Sequence, residues 1–126
     1  FIENNQLIYL GENGKKIKTK LNENNLPVIF GKFNIEEFLN LRQKLVLNKF
    51  EKKNFNKFYC FKSKRWDLLY KNKVLIKLPI NDIDISIGQL KKLIKDPNLI
   101  KVKTIDLRIK DKIIISWIIL MNYFQY

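Results

Sequence analysis

This chain contains no histidine. That removes Ser-His-Asp and Cys-His arrangements, in which a neutral imidazole activates the nucleophile. The single cysteine, Cys60, sits among aromatics in Phe58-Tyr-Cys-Phe61. With no imidazole to stabilise a thiolate, it reads as a small buried hydrophobe, and a disulfide within the chain is excluded. Gly11-Glu-Asn-Gly14 reads as a hairpin turn rather than a phosphate loop. Asp82-Ile-Asp84 places two carboxylates where a metal could be imagined, but at a helix entry such residues serve as caps. Asp106 and Arg108, spaced by two, share one face of a strand. Their chemistry is charge-assisted hydrogen bonding, which can tie neighbouring strands or meet an incoming peptide. No further catalytic partners accompany them. These residues argue against an enzyme and imply no cofactor and no metal.

The 126 residues suffice for one domain, 1–126, with a modest core. The chain begins at Phe1 and its only methionine is Met121, as expected for a piece of a longer protein. The formal net charge is +13, with a pI near 9.8. Such a balance raises an alternative, a small basic nucleic-acid-binding domain, with a contiguous lysine face and steeply salt-dependent binding. Composition weakens that reading. Alanine is absent, while Lys, Asn, Ile, Phe and Tyr, whose codons are AT-rich, dominate. Arg42, Arg65 and Arg108 are the only arginines, whereas base recognition favours the bidentate guanidinium. No nucleic-acid partner is therefore expected.

The elements that must position these residues follow from periodicity. Gln6–Leu10 alternates, meets the Asn-Gly turn and returns through Lys15–Lys18 as a hairpin. Asn22–Asn25 is a polar loop, and Leu26–Phe30 a short buried strand. Residues 34 to about 47 carry apolar residues at helical spacing, with Asn34 as cap and Glu37 at the capping-box position. Residues 48 to 57 read as a loop in which Phe50 and Phe55 anchor to the core rather than stack on bases. Phe58–Lys62 is expected as a strand, followed by a hairpin of Lys64–Tyr70 and Val74–Leu78. Alternation puts Trp66, Leu68 and Tyr70 on one face and Arg65, Asp67 and Leu69 on the other. A two-residue turn at Asn72-Lys73 would set Tyr70 opposite Leu75, at the cost of a poor residue at Lys73; a longer turn would relieve this.

Ser86–Lys95 reads as a second helix, with Ser86 as cap and Asp96-Pro97 as its stop. Val102–Ile109 and Lys112 to about Ile118 are the last strands. Two helices among many strands imply an α+β fold, an antiparallel-rich curved sheet with both helices packed on it. The run Ile113–Met121 is too short to span a bilayer, which needs about 20 apolar residues. It suits either a core strand or a sheet edge awaiting a partner strand.

Four motifs in series carry a family resemblance. They are Leu26-Pro-Val-Ile-Phe-Gly31, Lys64-Arg-Trp-Asp-Leu68, Val74-Leu-Ile-Lys-Leu-Pro79 and Ile105-Asp-Leu-Arg108. In order and spacing they resemble the FtsQ/DivIB family of bacterial cell-division proteins, most of all its alphaproteobacterial branch, from about residue 6 to 117. The resemblance implies a non-catalytic, bitopic inner-membrane protein at the division septum. Its periplasmic part would hold a POTRA domain and a β domain, and this chain would be the β domain. The membrane-anchoring helix and the POTRA domain would lie upstream. It also implies that FtsB and FtsL are bound, linking early septal-ring proteins to septal peptidoglycan synthesis. The last strands would receive a short strand of FtsB. By position the implied contacts are Arg108, Ile109, Lys110, Lys112, Ile114, Ser116 and Trp117, with Ile109 standing where relatives carry Tyr. Trp66, Leu68, Pro79 and Asp106 would be framework.

Overall fold

The structure, a computed structural model, describes residues 2–3, 6–10, 16–18, 27–96 and 101–117. Strands β1 (Ile2–Glu3), β2 (Gln6–Leu10) and β3 (Lys16–Lys18) form a small antiparallel sheet. Ile8 faces Lys18 and Leu10 faces Lys16, which is the expected first hairpin. Its turn, and the polar loop Asn22–Asn25, lie outside the described residues.

Among the described residues, the main sheet has six strands in sequential order: β4 (Val28–Phe30), β5 (Phe55–Cys60), β6 (Trp66–Tyr70), β7 (Val74–Lys77), β8 (Val102–Asp106) and β9 (Ile114–Trp117). Helix α1 (Ile35–Leu47) joins β4 to β5, and α2 (Ile83–Ile94) joins β7 to β8. Both connections link parallel neighbours, while the other three pairings are antiparallel. Strands β4, β5, β7 and β8 therefore run one way. Right-handed crossovers taken in the same direction across such a sheet put their helices on the same face. Both helices accordingly feed one core. The fold is α+β, as expected, with two parallel crossovers that strand periodicity does not reveal.

Register explains the burial. Ile29, Phe58, Leu68, Ile76, Ile105 and Ile115 lie side by side across all six strands. The first five are at most 2% exposed, and Ile115 packs against them. Phe38, Leu41 and Leu45 of α1, with Ile87 and Leu90 of α2, close this row from above. The aromatic centre is Phe38, Phe58 and Trp66, with Phe38 and Phe58 edge to face at 5.0 Å.

Local signals hold in part. Asn34 caps α1, its side-chain oxygen accepting the Glu37 N–H at 3.2 Å. Phe50 and Phe55 are buried against each other, ring centres 5.3 Å apart, as anchors of the preceding loop. That loop is shorter than expected, because β5 starts at Phe55 and ends at Cys60. Gly31 (φ +95°) follows β4, and a Cβ there would lie 2.1 Å from the Cys60 carbonyl oxygen. Only glycine fits that approach. The β6–β7 turn takes three residues, so Tyr70 faces Val74 rather than Leu75. Lys71 and Asn72 adopt positive φ there, and Lys73 donates to the Tyr70 carbonyl at 3.0 Å. Helix α2 begins at Ile83, so Ser86 is buried inside it and does not cap. Asp82 holds the cap position in a left-handed conformation, and its carbonyl accepts the Ser86 N–H at 3.2 Å. The apolar pattern fits the earlier start, since Ile83, Ile87, Leu90 and Ile94 all pack inward.

Candidate functional site

Strand β9 is an outer edge of the main sheet and pairs only with β8 among the described residues. An edge strand leaves alternate N–H and C=O groups unpaired along one side, which is the template for another strand. The opposite edge, β4, carries Phe30 stacked on Tyr59 at 5.0 Å. On β9 the apolar side chains are open instead. Ile114 is 45% exposed and Trp117 is 47% exposed.

The face of the sheet away from the helices carries a second row. Phe30, Tyr59, Asp67, Lys77, Asp106 and Ile114 are neighbours in register across all six strands. Asp67, Lys77 and Asp106 alternate in charge, a favourable cross-strand order. An arginine lies two residues from each aspartate on its own chain segment. Arg65 ion-pairs with Asp67, with side chains 16% and 8% exposed. Arg108 binds Asp106 through Nε and Nη2 at 2.9 and 2.7 Å, and the Arg108 backbone N–H donates to the same carboxylate at 3.0 Å. The bidentate bond from Arg108 holds the Asp106 carboxyl below its usual range, and Asp106 raises the Arg108 guanidinium in turn.

These two arginines face one groove of about 430 Å³. It lies where β7 and β8 end and α2 begins, walled by Pro79, Ile80 and Ile85 on one side and Leu107 to Asp111 on the other. Ile80, Ile85 and Ile109 border it at 53%, 63% and 51% exposure. A left-handed Asp111 and a Lys112 N–H bond to the Ile109 carbonyl, 3.1 Å, turn the chain from the groove into β9. The turn shortens both expected strands: β8 stops at Asp106 and β9 starts at Ile114.

The residues singled out from sequence thus fall into two sets. Arg108, Ile109 and Lys110 line the groove. Ile114, Ser116 and Trp117 lie on β9, and exposed Lys112 lies between the two sets. Alternation splits β9 further, with Ile114 and Ser116 on the face away from the helices and Ile115 and Trp117 on the helix side. Trp66 and Leu68 are core, at 3% and 0% exposure. Pro79 lines the groove rather than the core. Sequence reasoning passed over Arg65 as a groove residue. The signal was present: Arg65-x-Asp67 mirrors Asp106-x-Arg108.

The remaining candidates for chemistry stay structural. Burial raises the Cys60 thiol pKa, which opposes thiolate formation. Among the described residues, no group of three or more His, Cys, Asp or Glu side chains could hold a metal ion. No described helix is long and apolar enough to cross a membrane.

No curated protein matches this chain. The family model described as cell division protein FtsQ/DivIB, C-terminal, matches residues 2–108. That span takes in β1 to β8 and ends on Arg108, leaving β9 beyond it. With most of its length inside that match, and with the four motifs seated in one sheet, the chain belongs to the FtsQ/DivIB family of cell-division proteins.

Proposed function

We propose that this chain is the periplasmic β domain of a bitopic inner-membrane protein at the division septum, anchored by a helix and joined to a POTRA domain upstream. In this reading it is a non-catalytic scaffold that holds FtsB and FtsL and links early septal-ring proteins to septal peptidoglycan synthesis. The observation that carries the reading is the open edge of β9 beside the Arg108 groove. A strand of FtsB adds to β9, gaining main-chain hydrogen bonds that are insensitive to sequence. Specificity comes from side chains on either side of the new strand: Ile114 and Ser116 on one face, Trp117 on the other. Trp117 is the anchor, since a half-exposed tryptophan gains most by full burial at an interface. Arg108, Ile109 and Lys110 receive the part of the partner that runs past the end of β9.

The test is a titration with the periplasmic segment of FtsB. Trp117→Ala is expected to weaken binding by roughly thirtyfold, as for an interface hot spot. Arg108→Glu is expected to weaken it by about tenfold or more, because the partner then meets a carboxylate beside Asp106. Both variants should keep the circular dichroism of the parent. Parental affinity in a folded Arg108→Glu and a folded Trp117→Ala would sink the proposal.

A further inference from the structure

Among the described residues, charge is divided unequally between the two ends of the main sheet. At the groove end, Lys32, Lys62, Lys64, Lys110, Lys112 and the two paired arginines are interspersed with Glu36, Glu37, Asp82, Asp84 and Asp111. The other end is where both helices finish and where β5, β7 and β8 begin. The loop after α1 brings Lys49, Lys52 and Lys53 there, and the β6–β7 turn brings Lys71 and Lys73. The end of α2 adds Lys92 and Lys95. All seven are exposed. Two contacts show that these segments converge: the Lys71 N–H reaches the Asn54 carbonyl, 2.6 Å, and the Lys91 ammonium reaches the Lys49 carbonyl, 3.0 Å. Among the described residues, the carboxylates at this end are Glu51, paired with Lys53 at 3.1 Å, and Asp96.

Two plain explanations cover only part of this. Lysine-rich composition predicts lysines scattered over the whole surface. Cations near helix C-termini offset the helix dipole, which suits Lys92 and Lys95 but not Lys52, Lys53, Lys71 or Lys73. A further feature sits beside them. Val46 and Leu47, at the last turn of α1, are 41% and 69% exposed, and Val46 shares a shallow groove with Lys52. Exposed apolar side chains beside lysines are the makings of an interfacial membrane contact, in which apolar groups enter the headgroup boundary and ammonium groups meet anionic lipids.

We infer that this lysine pole is an anionic-lipid contact surface, with Leu47 as its inserted residue and the lysines of the three converging segments as its electrostatic contact. The occupant fits a lipid surface better than a nucleic acid. The exposed cations of the three segments are all lysines, with Arg42 beside Lys52 in the Val46 groove, and an exposed leucine contributes nothing to phosphate binding. The surface lies at the opposite end of the sheet from the Arg108 groove, while Trp117, paired with Val102 at the finish of β9, stands at this same end.

Co-sedimentation with vesicles tests this. The chain is expected to pellet with phosphatidylcholine vesicles containing about one-third phosphatidylglycerol at low salt, to be released as salt rises, and to ignore pure phosphatidylcholine. The triple variant Lys73→Gln, Lys92→Gln, Lys95→Gln should lower partitioning by about a hundredfold. Lys32→Gln, Lys62→Gln, Lys64→Gln removes the same charge from the groove end and should change it far less. Leu47→Gln alone should also weaken binding. Circular dichroism verifies that each variant is folded. Equal losses in the two triple variants, or no pelleting of the parent chain, would overturn the proposal. So would retention on duplex DNA that needs the same lysines, combined with unchanged vesicle binding by Leu47→Gln.

Discussion

The chain has two tryptophans, and they occupy strands of similar apolar character at opposite extremes of burial. Trp66, in β6, is 3% exposed, between Phe33, Phe38 and Phe58. Trp117, in β9, is 47% exposed. The difference lies in where each strand sits. β6 has a neighbour on each side and two helices above it, whereas β9, among the described residues, has one neighbour and is the last strand of the sheet. An apolar strand in the middle of a sheet spends its hydrophobicity on the core. The same chemistry at an edge stays exposed to solvent.

The largest effect expected from this contrast is on stability. Trp66→Ala should lower the unfolding free energy by about 3–5 kcal/mol, since the ring leaves a cavity among three other aromatics. Trp117→Ala should change it by less than about 0.5 kcal/mol. Urea denaturation of the two variants measures both, and similar losses would erase the distinction between core and edge.

The two arginine–aspartate pairs extend the comparison. Asp67→Ala leaves the Arg65 guanidinium mostly buried without its carboxylate and should cost about 2–4 kcal/mol. Asp106→Ala should cost less by the same measurement, because Arg108 is 45% exposed and turns to water. A larger loss at Asp106 would place the more exposed pair, not the buried one, in the structural core.

A smaller effect is expected in acid. The Asp106 carboxyl has a folded pKa below its unfolded value, chiefly through the Arg108 hydrogen bonds. Its contribution to stability is complete above the unfolded carboxylate pKa of about 4 and is lost as pH falls through the folded value. Arg108→Gln removes most of that shift. The parent and variant should therefore differ in stability at neutral pH and converge as acid protonates Asp106. A difference that persists unchanged below that range would assign the effect to packing of the arginine.

Much of the framework was legible because it depends on near neighbours in sequence. The stripe of Phe38, Leu41 and Leu45 marked α1, Asn34 marked its start, and the alternation of Trp66, Leu68 and Tyr70 marked the buried face of β6. The errors came where backbone geometry overrode residue type. Ser86 reads as a cap by type, yet the left-handed Asp82 opens α2 one turn earlier and Ser86 is enclosed. The β6–β7 register depended on whether Lys71 and Asn72 would accept positive φ, which three-residue turn geometry required. Of the candidate site, Arg108 was visible through its spacing to Asp106, while Arg65 was passed over because its groove is assembled from segments about forty residues apart.

By itself, the sequence determined which faces of each element are apolar, that the chain offers no histidine beside its single cysteine, and that four motifs resemble the FtsQ/DivIB family. These follow from residue type and local period. Only the tertiary structure decided that β9 is an outer edge among the described residues, that Arg65 and Arg108 share a groove, and that lysines from three segments meet at one pole. Strand order and crossover handedness set these juxtapositions, and no local pattern in the chain encodes a distance between segments that meet only after the sheet has formed.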